Sequence, residues 1–66
     1  MEMKVNGREQ PRNGLETVLA LLESLGHDPQ RVAVEKNGQI VPRASFRQEA
    51  LCEDDAIEIV CFVGGG

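Results

Sequence analysis

The sequence predicts an α+β domain, a mixed sheet of four to five strands packed on one main helix. Three observations predict it. Two Asn-Gly pairs, Asn6-Gly7 and Asn37-Gly38, each separate two short strand-like segments. Between the two pairs runs one stretch with apolar residues at helical spacing. The last apolar stretch, residues 56–63, alternates with apolar groups on both faces.

The elements follow in order. "MEMKV" places Met1, Met3 and Val5 on one side and Glu2 and Lys4 on the other, the period of a half-buried strand. Asn-Gly tolerates the positive φ angles of a two-residue type I′ turn, so residues 1–11 read as a hairpin with a short polar second strand. Pro11 ends that strand or confines it to an edge. "NGLETVLALLESLG" is the helix, with Leu15, Val18, Leu19, Leu22 and Leu25 forming one stripe. Asn13 with Glu16 resembles a capping box, and Thr17 competes as the N-cap. Gly26 stands where a left-handed residue closes the helix.

After the loop "HDPQ", "RVAVEK" alternates with Val32 and Val34 on one side and Ala33 and Glu35 on the other. Asn37-Gly38 turns it into "QIV", and Pro42 stops the pairing. "RASFRQEALCEDD" is a connection long enough for a helical turn, with Phe46 and Leu51 plugging the core. The final strand sets Ile57, Ile59 and Cys61 against Ala56, Val60 and Phe62, with Glu58 the one polar exception. A strand apolar on both faces lies centrally or keeps one face for a partner. Two hairpins need a cover for their apolar faces, and the helix stripe supplies it. A central last strand pairing with the first unites the hairpins, which is the β-grasp arrangement. The domain spans residues 1–63, and residues 64–66 form a flexible glycine tail.

Composition narrows the function. With 66 residues there is one small core, worth a net ~3–5 kcal/mol, and little chain for an enclosed pocket. The net charge of -4 disfavours phosphate backbones, and the absence of Trp and Tyr removes a base-stacking platform. Neither nucleic acid nor a membrane is expected as a partner. One histidine and two cysteines outside any CxxC pair fail the ligand count of an ordinary zinc site. "MEMKVNG" lacks the apolar region of a signal peptide, so the expected location is cytoplasmic, with Cys52 and Cys61 reduced.

"MKVNG", "TVLALLESLG", "VAVEKNGQIVPR" (residues 32–43) and "AIEIVCFVGGG" (residues 56–66), in this order and at this length, resemble the ThiS family of sulfur carrier proteins. The resemblance covers nearly the whole chain and implies a ubiquitin-like fold. It also implies a role in forming the thiazole of thiamine. The family's Gly-Gly end maps to Gly65 and Gly66, with Gly64 as one glycine more. The resemblance implies a protein cosubstrate rather than an enzyme. A ThiF-like adenylyltransferase, using ATP and magnesium, activates the carboxylate of Gly66. Sulfur then replaces oxygen, and a ThiG-like thiazole synthase consumes the thiocarboxylate. No cofactor is expected on this chain, since "NGREQPRNG" lacks the Lys-Ser/Thr of a phosphate loop. Service to molybdopterin or cysteine synthesis, or an interaction module with an inert tail, are the alternatives.

The chemistry fits such a tail. A terminal carboxyl, with a pKa of roughly 3.3–3.7, is ionised and a poor electrophile, so it must be activated inside another protein's site. Gly64 and Gly65 carry no Cβ and accept whatever φ a narrow slot imposes. The folded body then needs its own docking surface, expected at Val60 and Phe62, with Ile40 from the neighbouring hairpin. Against these stand plain structural readings. Cys61 reads as a small buried hydrophobe rather than a redox group. His27 reads as a solvated loop residue, the run Glu53, Asp54, Asp55 as a solvated turn, and Arg43 and Arg47 as solvated.

Overall fold

The computed structural model describes residues 2–62. Met1, Val63 and the glycines Gly64, Gly65 and Gly66 lie outside the described residues, and so does the expected domain–tail boundary.

Five strands form one mixed sheet: β1 (Met3–Val5), β2 (Arg8–Gln10), β3 (Val32–Lys36), β4 (Gln39–Val41) and β5 (Ala56–Cys61). Their spatial order is β2-β1-β5-β3-β4. The last strand is central, parallel to β1 and antiparallel to β3. One helix, α1 (Val18–Ser24), covers one face. This is the β-grasp arrangement that the two Asn-Gly hairpins and the doubly apolar last strand predict. Both turns take the expected form, with φ of 52° and 83° at Asn6-Gly7 and 53° and 84° at Asn37-Gly38.

The core lies between helix and sheet. Met3, Val32, Val34, Val41, Ile57 and Ile59 meet Val18, Leu21 and Leu22 from the helix. Phe46 and Leu51, from the connection before β5, close the sides. The helix departs from the expected stripe. Leu21 is fully buried, whereas Leu25 is 40% exposed. A seven-residue helix meets the sheet through Val18 and its i+3 and i+4 neighbours, and Leu25 lies past the last turn as the C-cap.

Of the two competing caps, Thr17 is the one used. Its hydroxyl accepts from the Ala20 N–H at 3.1 Å. The Asn13–Glu16 capping box does not form: Asn13 and Gly14 have φ of 51° and 78° and make a turn instead. The N–H groups of Val18 and Leu19 donate to the carbonyls of Glu49 and Phe46, at 2.9 and 2.8 Å. The connection thus satisfies helix donors that have no intrahelical acceptor. At the other end Gly26, φ 79°, closes a Schellman motif, with Gly26 N–H to Glu23 O and His27 N–H to Leu22 O.

Candidate functional site

The sheet face away from α1 has no covering element among the described residues. Strand alternation and register decide what it presents. Ile57 and Ile59 turn to the helix, so Glu58 and Val60 turn outward. In the antiparallel pairing Val60 stands opposite Ala33, Glu58 opposite Glu35, and Ile40 of β4 opposite Glu35 on its other side. Ile40, Val60 and Phe62 are 66%, 58% and 57% exposed, the most exposed large apolar side chains described.

The structure brings these three residues together. A shallow depression of about 260 Å³ is lined by Ala33, Glu35, Ile40, Glu58 and Val60. A second, of about 270 Å³, joins Ile40 to Phe62 past Ala33 and Pro42. Ile40 and Ala33 belong to both, so the patch is continuous. A larger concavity, about 530 Å³, is open and lies elsewhere, beside Leu19, Pro29, Arg43 and Phe46. Its Arg43 is engaged in holding the fold, so it is not the better candidate.

The end of β5 is held firmly. The Phe62 N–H donates to the Arg31 carbonyl at 2.8 Å, so the backbone stays paired up to the last described residue. The last described residue therefore lies at the apolar patch, which it helps to line. Gly64, Gly65 and Gly66, the expected tail, follow outside the described residues.

Several residues that the sequence left as solvated or unremarkable position this strand. Asn6 accepts from the Ile59 N–H at 2.7 Å and donates Nδ2 to the Ile59 carbonyl at 3.2 Å. Asn37 does the same work at the strand's start: its Oδ1 accepts from the Ala56 N–H at 2.9 Å, and its Nδ2 donates to Asp55 at 3.0 Å. Asp55 is not part of a solvated turn. It is 9% exposed, and its second oxygen accepts from the Cys52 N–H at 2.8 Å. Glu53 and Asp54 are exposed, as expected. Arg43 is not merely solvated either, since it donates to the carbonyls of Pro29 and Val32 at 2.9 and 3.0 Å and ties the 3-10 turn Pro29–Arg31 to β3. A signal was present for the asparagines, since Asn in a turn readily hydrogen-bonds nearby backbone. Their partners, 53 and 19 positions away, had no local signal.

Cys61 corrects another expectation: it is exposed, not a buried hydrophobe, and its Sγ lies 3.5 Å from Nδ1 of a half-buried His27. It shares the helix side with Ile57 and Ile59 but stands at the strand's end, beside His27 of the loop after the helix. Cys52 is exposed as well. No cluster of three or more metal-ligating side chains occurs among the described residues, and no described helix is long and apolar enough to cross a membrane.

A five-stranded sheet grasping one helix, with its last strand central and an open apolar face at the strand's end, defines a ubiquitin-like β-grasp module. Comparison with known proteins specifies it further. Residues 3–66 match the ThiS family, and the chain belongs to that family. It is 35% identical to "Sulfur carrier protein ThiS" of Bacillus subtilis over 97% of this chain and 98% of that protein. It is 47% identical to a thiazole synthase of Paramagnetospirillum magneticum across its own 66 residues, and it spans 20% of that relative's length. Among solved structures it resembles the crystal structure of the thiamine biosynthesis protein ThiS from Geobacter metallireducens. There the TM-score is 0.81 and the identity 35%, and all of both chains is covered.

Proposed function

We propose that this chain is a sulfur carrier of thiamine biosynthesis and that the carboxyl of Gly66 carries the sulfur. The observation that carries the reading is end-to-end agreement with the Bacillus subtilis sulfur carrier, on a fold whose last strand ends at an open apolar face. The carboxylate of Gly66 attacks the α-phosphorus of ATP in a ThiF-like adenylyltransferase, with magnesium neutralising the phosphates, and pyrophosphate leaves. A sulfur nucleophile then displaces AMP, and the resulting thiocarboxylate gives its sulfur to a ThiG-like thiazole synthase. The chain itself holds no cofactor and acts as a cosubstrate. Gly64 and Gly65 give the carboxyl access to both sites. Val60, Phe62 and Ile40 dock the body, each gaining up to about 1.5–3 kcal/mol if fully buried. The likeness to a chain named thiazole synthase favours thiazole over molybdopterin or cysteine synthesis.

The reading requires a free carboxyl on Gly66, and intact-mass spectrometry of protein co-expressed with its activating enzymes tests it. The expected result is a gain equal to the sulfur–oxygen mass difference, located in the last peptide. No gain under sulfur-replete conditions means an inert tail. Deleting Gly66 should abolish ATP–pyrophosphate exchange by the adenylyltransferase while the thermal unfolding curve stays in place. Exchange that survives the deletion rules out the terminal carboxyl.

A further inference from the structure

The patch that docks the body has an unbalanced charge at its centre. Glu35 and Glu58 face each other directly across β3 and β5. Side chains so placed have Cβ atoms roughly 4.5–5.5 Å apart, and like charges there destabilise a sheet. Among the described residues neither carboxylate makes an ion pair: the two pairs found are Arg31–Asp28 and Lys36–Glu49. Lys36 turns its ammonium to the other side, toward Glu49 and the Ala50 carbonyl. Lys4 stands opposite Ala56 and Glu9, two positions from Glu58 along the strand. The two carboxylates line the same depression as Ile40, Ala33 and Val60. An apolar surface closing over this depression would desolvate two facing anions, which is unfavourable without a counter-charge.

We infer that the Glu35–Glu58 pair receives a basic side chain, best an arginine, from a thiazole synthase, the name borne by two longer relatives that contain a segment 47% and 41% identical to this chain. A planar guanidinium has enough donors to bond both carboxylates at once, which an ammonium does less well. The pair sets orientation: Ile40 lies on one side of it and Val60 one row further on, so the cation locates the partner while the apolar groups hold it. Free in solution the carrier bears the repulsion, and in the complex the partner's cation relieves it.

This inference rests on the carrier reading above, and the test separates the two. Affinity of purified thiazole synthase for the carrier is measured by calorimetry for the native chain, for Glu35→Gln with Glu58→Gln, and for Val60→Asp. The native affinity should fall as salt rises, and the double variant should bind about tenfold more weakly or worse, a loss of about 1.4 kcal/mol or more, at the lower end of what close charge pairs have contributed across a measured interface. Its salt dependence should shrink. Its urea midpoint should stay or rise, because repulsion has been removed. Gain of sulfur mass by the double variant reports on the carrier reading independently. If Val60→Asp weakens binding but the double variant binds as the native chain does, the cation is refuted and the docking face stands. If the native chain gains sulfur yet does not bind the synthase, the chosen partner is wrong. If free magnesium binds the native pair and the double variant abolishes that, a metal ion is the occupant and the inference fails.

Discussion

At the scale of single residues, the two turn asparagines do more than make tight turns. Each side chain stands in for a strand neighbour and pairs with the backbone of β5, Asn6 near its end and Asn37 at its start. Asn37→Ala removes both side-chain bonds, leaves Asp55 short of a donor, and puts a Cβ-bearing residue without local hydrogen bonding at φ 53°. The expected loss is about 1–3 kcal/mol, read as a lower urea midpoint with unchanged slope. Lys36 has its pKa raised above 10.5, first by its hydrogen bond to Glu49, with burial opposing and the charge of Glu49 adding. A group whose folded-state pKa is raised stabilises fully below its unfolded value and ceases to do so as pH climbs through the folded one. The stability difference between the native chain and Lys36→Met should therefore be constant from pH 7 to near 10.5 and shrink above it, as followed by denaturant unfolding across that range.

At the scale of elements, the helix is too short to stand alone. Seven residues fall well under the roughly 12–15 that make an isolated helix even marginal in water. It persists because Val18, Leu21 and Leu22 are buried and because its first donors are taken by Thr17 and by the connection. Thr17→Ala should cost about 1 kcal/mol, visible as a lower unfolding midpoint. The same connection supplies Phe46 and Leu51 to the core, so an apparent loop acts as a structural wall.

At the scale of the whole molecule, the sheet has one dry face and one open one. β5 belongs to both: Ile57 and Ile59 serve the core, and Val60 with the following Phe62 serves the surface. Phe62→Asp should therefore leave unfolding stability within about 0.5 kcal/mol, as a surface substitution does, while markedly weakening binding to the two proposed partners, a ThiF-like adenylyltransferase and a ThiG-like thiazole synthase. Equal losses of stability and binding would assign Phe62 to the core. This separation lets the open face change without touching the residues that fold the chain.

The local pattern of the chain by itself determined the five strands, both hairpin turns, the glycine close of the helix and the exposure of Ile40, Val60 and Phe62. These depend on period-two alternation and on backbone angles that few residues accept, both written in neighbouring residues. Tertiary structure alone decided the rest. Leu21 is buried and Leu25 exposed because the sheet chooses which arc of a short helix it covers. Asp55 and Arg43 are structural, and Cys61 meets His27, because residues far apart in sequence converge at the ends of one strand. Glu35 comes to face Glu58 through the register of two strands some twenty residues apart. That register is set by burying Val32, Val34, Ile57 and Ile59 together, so it is a property of the packed core and of no local segment.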